Sequence, residues 1–259
     1  MSAQIKQFER ALGHTLLERQ GRRARPDRPS DSAWGANAVP KSIVYRMLRP
    51  ATEGALPLQL TCYEGQPDQL LAQLATHALD VVISDAPAPA HVRVKVFSHL
   101  LGESGITFSA TAALARRVRR TFPQLLHDVP MLLPTSSTVL RSALEQWFDG
   151  LHIRPRVGGE FEDSALMKAF GEAGTAVFPA PSAIAREVCR HYGVVAIGQT
   201  DDVRERYYAL SAERRVTHPG VVALTRAARG DVFPPGAVSR TYHGLAVALT
   251  RPDHSRASE

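Results

Sequence analysis

Hydroxyl- or carboxyl-bearing residues stand where strands are expected to end and helices to begin: Ser42, the run Thr135 to Thr138 with Ser136 and Ser137, Asp163 with Ser164, and Ser182. In α/β proteins ligands collect at the carboxyl ends of strands, where the first turn of a helix presents free N–H groups. Each of them also suits the plainer task of capping its helix, a contribution of ~1 kcal/mol. Their recurrence at several turns is what suggests a ligand cleft. A second group is acidic: Asp85, Glu103, Glu160, Glu162 and Asp163. Carboxylates and hydroxyls facing a cleft are suitable ligands for a hard cation, whereas solvated or salt-bridged acids need none. The sequence leaves both readings open.

Catalytic motifs are missing. The sequence contains no GxSxG elbow, GxxxxGK[ST] phosphate loop, GxGxxG turn after a strand, or HExxH. The ten histidines form no i, i+4 pair on any expected helix and read as surface or half-buried side chains. Cys62 and Cys189 form no CxxC pair and stand in apolar surroundings, so both read as core thiols, not as a disulfide or zinc site. The expectation is a protein that is not an enzyme and needs no cofactor.

A chain of 259 residues, 44% hydrophobic and 22% charged, can bury one or two cores. No run approaches the ~18 apolar residues of a membrane span, so the chain reads as cytoplasmic with no membrane contact. Of the net charge of +6, residues 1–29 carry +4, from seven basic and three acidic side chains. A basic segment on a nearly neutral body suggests a nucleic-acid contact, or else a solvated basic end. In that segment Ile5, Phe8 and Leu12 recur on one face of a short helix from Ser2 to Leu12. Residues 20–35 have no period and read as a wing or linker.

After Pro40 strands and helices alternate. Leu58–Tyr63, a helix through Leu70, Leu71 and Leu74, and the run Leu79–Ser84 form one β-α-β unit, followed by a strand over Val94–Phe97. A second alternation takes in Ile106 and Phe108, a helix through Leu114 and Val118, Met131–Leu133, and the strongest helix signal, Val139 to Phe148. Arg154–Val157 then reads as a strand, Ser164–Ala173 as a helix capped by Asp163, Ala176–Phe178 as a strand, Ser182–Tyr192 as a helix and Val194–Ile197 as a strand. A strand at Tyr207–Ser211 and a helix opened by Pro219 remain. The body is therefore α/β in two blocks, each expected to have its own sheet, with connections crossing near Leu101 and Asp201.

The segment Ser2–Arg23, SAQIKQFERALGHTLLERQGRR, resembles the end of the DNA-binding domain of LysR-type transcriptional regulators. LDVVISDAP (79–87), GESGITF (102–108), GEFEDSALMKAFGEAGTAVFPAPS (159–182) and AERRVTHPGVV (212–222) resemble the effector domain of the NhaR subfamily, whose members activate a sodium/proton antiporter gene in response to sodium. The resemblance covers about residues 2–23 and 36–229. It implies a partial winged helix-turn-helix at 1–29 and a two-lobed, periplasmic-binding-protein-like effector domain. Lobe I would take residues 30–100 completed by 207–229, lobe II 101–206, and a tail 230–259. Ser2, Gln4 and Lys6 would lie on the recognition helix and Arg19, Arg22 and Arg23 on the wing, as contacts to promoter DNA. Ser42, Ser136, Ser137, Asp163 and Ser182 would line the effector cleft, with Asp163 the first expected ligand of a sodium effector. The family assembles as homodimers or homotetramers.

Two departures accompany the likeness. The first two helices of the DNA-binding domain have no counterpart before Met1, and RPDRPSDSAW stands where the family has a linker helix and a complete first strand. The resulting expectation is a truncated regulator with weak promoter binding. A ligand-binding module of the same fold, without DNA-binding activity of its own, is the alternative reading.

Overall fold

The computed structural model describes residues 31–36, 39–52, 59–89, 95–117, 121–214 and 219–233. The expected helix at 2–12, the expected DNA contacts Ser2, Gln4, Lys6, Arg19, Arg22 and Arg23, the strand residues Leu58 and Val94, Val118 and the tail beyond 233 lie outside the described residues.

Among the described residues, eight strands and seven α-helices follow one another. β1 (Asp31–Ala36), α1 (Lys41–Thr52), β2 (Gln59–Glu64), α2 (Pro67–Ala75) and β3 (Val81–Ser84) form the first block. β4 (Phe97–Thr111), α3 (Ala112–Arg117), β5 (Pro130–Pro134), α4 (Val139–Gly150), β6 (Arg156–Phe161), α5 (Ser164–Glu172), β7 (Phe178–Pro181) and α6 (Ala185–His191) follow. β8 (Val194–Ser211) and α7 (Pro219–Ala227) close the described fold, with a single π-helical turn at Ala228–Val232.

β1 corrects the expected linker. The hydrophobic pattern of DSAWGA is not that of a strand, yet its backbone pairs in parallel with both β2 and β3, Ala33 beside Thr61 and Gly35 beside Val82. Backbone pairing on both sides makes this segment a strand where side-chain alternation gives no signal. β6 starts later than the expected Arg154 and continues through Gly158 and Gly159, which hide the alternation.

Two further expectations merge. Phe97 and the Ile106–Phe108 segment belong to one 15-residue strand, and Val194–Ile197 and Tyr207–Ser211 to one of 18 residues. Glycine and charged residues, such as Gly102, Glu103, Gly198 and Asp202, conceal their continuity. β4 and β8 run antiparallel along almost their whole length. One sheet per block is therefore not what the hydrogen bonding gives: a six-stranded ladder, β2-β1-β3-β8-β4-β7, runs through both blocks, and β5-β6 is a separate two-stranded sheet linked to it by an isolated bridge between Met131 and Val177.

The ladder is irregular at the residues where crossings were expected. Leu101 is the extra residue between the Leu100 and Gly102 pairings, and Asp201–Val203 bulge out between Thr200 and Arg204. Gly105 faces that bulge. A Cβ there would stand 2.6 Å from the Thr200 carbonyl oxygen, so only glycine allows the close approach.

Each end of the ladder has a core. Leu70, Leu71, Leu74 and Leu79 of the first block pack on Val82 and Leu210. Ile106, Phe108, Leu133, Leu144 and Phe148 form the core of the second. A third cluster runs from Ile43 and Met47 of α1 and Leu224 of α7 to Met167, Phe178 and Val188. Arg46 of α1 adds a polar tie, donating to the carbonyl oxygens of Ala183 at 2.6 Å and Asp231 at 2.8 Å.

Candidate functional site

A narrow cleft of about 50 Å³ opens between the two blocks, at the ends of β3, β5 and β6. That volume holds a monatomic ion or one or two waters, far less than the several hundred Å³ of a typical organic-ligand pocket. Its polar lining consists of Asp85, Thr138, Glu162, Ser164, Lys168 and Glu205, and its apolar lining includes Leu140, Phe161, Met167 and four prolines.

Local sequence explains how these groups arrive there. Thr138 is the N-cap of α4, its hydroxyl oxygen accepting from the Arg141 N–H at 3.2 Å. Asp163 caps α5, with Oδ1 accepting from the Ala165 N–H at 2.7 Å. Both helices therefore begin at the cleft, and their first turns add positive potential there. Gly171 lets α5 lie against β7, because any Cβ would overlap the Phe178 ring. This close packing seats Met167 and Lys168 on the inner face of α5.

Lys168 dominates the electrostatics. It is 5% exposed, and its Nζ donates to Ser164 Oγ at 3.1 Å. No carboxylate among the described residues forms an ion pair with it. Burial pushes its ammonium down to about 8, against the pull of the Glu205 and Asp163 charges. Glu205, half-buried on β8, is pushed up to about 7 by burial, although the Tyr207 O–H donates to its Oε2 at 3.0 Å and Lys168 lies near. Asp85 is raised by burial as well. Tyr207 is held far above the ordinary phenol range, first by burial and then by the Glu205 charge. The cleft is thus a weakly hydrated set of hard oxygens with one tethered ammonium, and its charge changes near neutral pH.

Of the turn residues expected from sequence, Thr138 and Ser164 line this cleft, while Ser42, Ser136, Ser137, Asp163 and Ser182 surround it. Ser42 is half-buried in the first turn of α1, two residues from the lining Pro40. Ser136 and Ser137 are exposed in the turn between the lining Pro134 and Thr138, with Ser137 Oγ 3.3 Å from Thr135 Oγ1. Asp163 is exposed between the lining Glu162 and Ser164, and Ser182 follows Pro181, its Oγ 2.8 Å from Thr107 Oγ1.

The acidic set divides in the same way. Asp85 and Glu162 reach the cleft, while Glu103 pairs with Arg204 and Arg206, and Glu160 pairs with Arg141 at 2.6 Å. Among the described residues no three His, Cys, Asp or Glu side chains gather as a metal site. Cys62 and Cys189 are free thiols packed against the core, and burial pushes Cys62 up to about 11.

Sequence reasoning missed Lys168, Glu205 and Tyr207. A signal existed for two of them: Val203, Glu205, Tyr207 and Ala209 share one face of β8, so the alternation puts an acid into an otherwise inward register. For Lys168 the signal was its place beside Met167 on the apolar side of α5.

Residues 37–232 match the family described as LysR substrate binding domain. Over 200 residues the chain is 34% identical to the transcriptional activator protein NhaR of Escherichia coli (strain K12), a match covering 77% of this chain and 65% of that protein. The NhaR protein of Shigella flexneri matches equally. Among solved structures, the reduced regulatory domain of OxyR2 from Vibrio vulnificus superposes with a TM-score of 0.61 at 13% identity, covering 80% of this chain and 99% of that one. CbnR, a LysR family transcriptional regulator, gives 0.61 at 14% identity, covering 87% and 88%.

Proposed function

This chain belongs to the LysR substrate-binding domain family, and from that premise we propose that it is the sensing part of a LysR-type, DNA-binding transcriptional activator of a sodium/proton antiporter gene, with sodium as effector. The chain spans 65% of the length of the NhaR proteins it matches, and the activator role rests on that likeness. The observation that carries the effector reading is the cleft itself. It has room for an ion, and its polar atoms, apart from Lys168, are hard oxygens of Asp85, Glu162, Glu205, Thr138 and Ser164. Asp163, Ser42, Ser136, Ser137 and Ser182 belong to this proposal as the surrounding turns, Asp163 through its second carboxylate oxygen.

The donor types fit sodium on one condition. Lys168 supplies a positive charge inside the same cleft, so a cation is accommodated when that ammonium is neutral or turned away. The tethered ammonium acts as an internal competitor, and a change in its position relative to Glu205 is the event that biases the two blocks toward one arrangement. The chain would then transmit that bias to DNA through residues 1–29, with Ser2, Gln4 and Lys6 in the groove and Arg19, Arg22 and Arg23 on phosphates.

The test has two arms. Sodium chloride is expected to raise the melting temperature more than potassium chloride at equal ionic strength, and Glu205→Gln to remove the difference. Identical curves for the two salts refute sodium as effector. In the second arm, binding to an antiporter-promoter fragment and a scrambled fragment is titrated at two salt concentrations. Equal, steeply salt-dependent binding to both identifies phosphate contact alone and favours a ligand-binding module without operator recognition.

A further inference from the structure

A second concavity shares no lining residue with the cleft. It lies where α7 meets the first residues of β4, has a volume of about 230 Å³, and is lined by His99, Arg214, Val222, Thr225, Arg226 and Arg229. Three guanidinium groups and an imidazole thus face one groove, and no carboxylate among the described residues lines it. The guanidinium groups of Arg214 and Arg226 make no hydrogen bond or ion pair with a described residue, which leaves their donors open to the groove.

The other two basic groups are fixed in place. Arg229 donates through Nη2 to the Leu100 carbonyl oxygen at 3.2 Å. Ser211 donates its hydroxyl hydrogen to the Glu213 carbonyl oxygen at 2.7 Å, which makes its Oγ the acceptor for His99 Nε2 at 3.0 Å. One anchored guanidinium and two unspent ones around an apolar wall at Val222 have the form of an oxyanion site, with His99, its Nε2–H engaged by Ser211, as part of the wall.

We propose that this groove is a second ligand site, taking a phosphate-class dianion, either free phosphate or a phosphate monoester. Guanidinium forks match tetrahedral oxyanions with paired N–H donors, and a singly charged carboxylate would leave most of the positive charge here unneutralised. The volume accommodates a phosphate and a short organic stem against Val222. The site also adjoins the tie between the blocks. Arg229 belongs to the π-helical turn Ala228–Val232, and the Asp231 carbonyl of that turn accepts from Arg46, which also holds Ala183.

The experiment uses the full chain in potassium salts, which keeps the proposed sodium response out of the measurement. Inorganic phosphate, glycerol 3-phosphate and chloride are compared at equal ionic strength, by melting temperature and by line broadening of the phosphorus resonance. At ten times its dissociation constant phosphate is expected to raise the melting point by about 3–5 °C. A larger shift with the monoester identifies that source, and a larger one with inorganic phosphate identifies the free anion. The double variant Arg214→Gln, Arg226→Gln, which breaks no side-chain contact among the described residues, is expected to abolish shift and broadening, and Lys168→Met to retain both. An equal shift with chloride, persistence in the double variant, or loss in Lys168→Met overturns the proposal.

Discussion

Replacing Lys168 by Met is expected to stabilise the protein at neutral pH and to lose that effect in base. An ordinary lysine ammonium titrates at 10.5 and this one at about 8, so the folded state disfavours the charged form by about 3 kcal/mol. Between pH 8 and 10.5 the unfolded chain binds more protons at this position than the folded chain does. Stability therefore rises with pH across that window. Met has a similar reach and fills the space among Met167 and Phe161 without a charge, while the bond to Ser164 Oγ is lost at a cost of about 1 kcal/mol. The net gain is about 2 kcal/mol at pH 7 and near zero at pH 10. Urea denaturation of parent and variant at the two pH values measures both terms. A variant less stable than the parent at pH 7 would show that Lys168 is a satisfied structural cation. A gain equal at both pH values would show that packing, not desolvation, is responsible.

Glu205→Gln has the complementary sign. The folded carboxyl holds its proton up to about 7 against an ordinary 4.5, so the parent loses stability as pH rises from 4.5 to 7, and the variant is expected to be about 1–3 kcal/mol more stable at pH 8 and unchanged at pH 4 by the same denaturation. Sodium affinity, measured by calorimetry, is expected to rise about tenfold or more from pH 6.5 to 8.5, because Glu205 gains a negative charge and Lys168 loses a positive one over that range; a pH-independent affinity excludes these two groups from the response. Arg46→Met is expected to cost about 2 kcal/mol and to speed amide exchange around Ala183 and Asp231, and a loss under 0.5 kcal/mol would mean that the tie contributes nothing to closure. Asp163→Ala is expected to cost ~1 kcal/mol as a lost cap, whereas Asp163→Asn keeps the cap and weakens only the sodium shift; loss of stability in both with no change in the shift leaves Asp163 a cap alone.

What the sequence revealed of the fold follows from which forces leave a periodic trace. α4 and α5 were legible because each buries one stripe and starts at a hydroxyl or carboxylate cap, and the run around Val81–Ile83 because a strand covered on both faces is continuously apolar. β1 left no such trace. Its position is set by backbone pairing with two neighbours, and nothing in DSAWGA encodes partners more than twenty residues away. The continuity of β4 and β8 was hidden for a related reason: where these strands pass between the blocks they are exposed, so Glu103, Arg204 and Arg206 pair across them at the surface and break the apolar alternation.

The cleft was legible in its turns and in the part of its lining that adjoins them, Asp85, Thr138, Glu162 and Ser164, and not in Lys168 and Glu205, and the difference is physical. A helix cap is local, since Asp163 and the N–H of Ala165 lie two residues apart, and strand-to-helix turns can be found from such pairs. Which neighbour of a cap faces the cleft depends on the rotation of the helix against the sheet. That rotation is fixed by Gly171 against Phe178, a contact between segments that periodicity places only separately. Once it is set, Glu162, Ser164 and Lys168 turn into the cleft and Asp163 remains beside it. The sensitivity of the site has the same origin. Lys168 and Glu205 come from different elements, α5 and β8, and each titrates near neutrality because burial opposes its charge. Any movement of α5 relative to β8 changes their separation in a medium of low polarity, where a small displacement alters the interaction far more than it would in water. A cleft that moves between open and closed arrangements therefore changes its own charge state, and a proton or small cation that prefers one charge state must favour one arrangement by the same free energy.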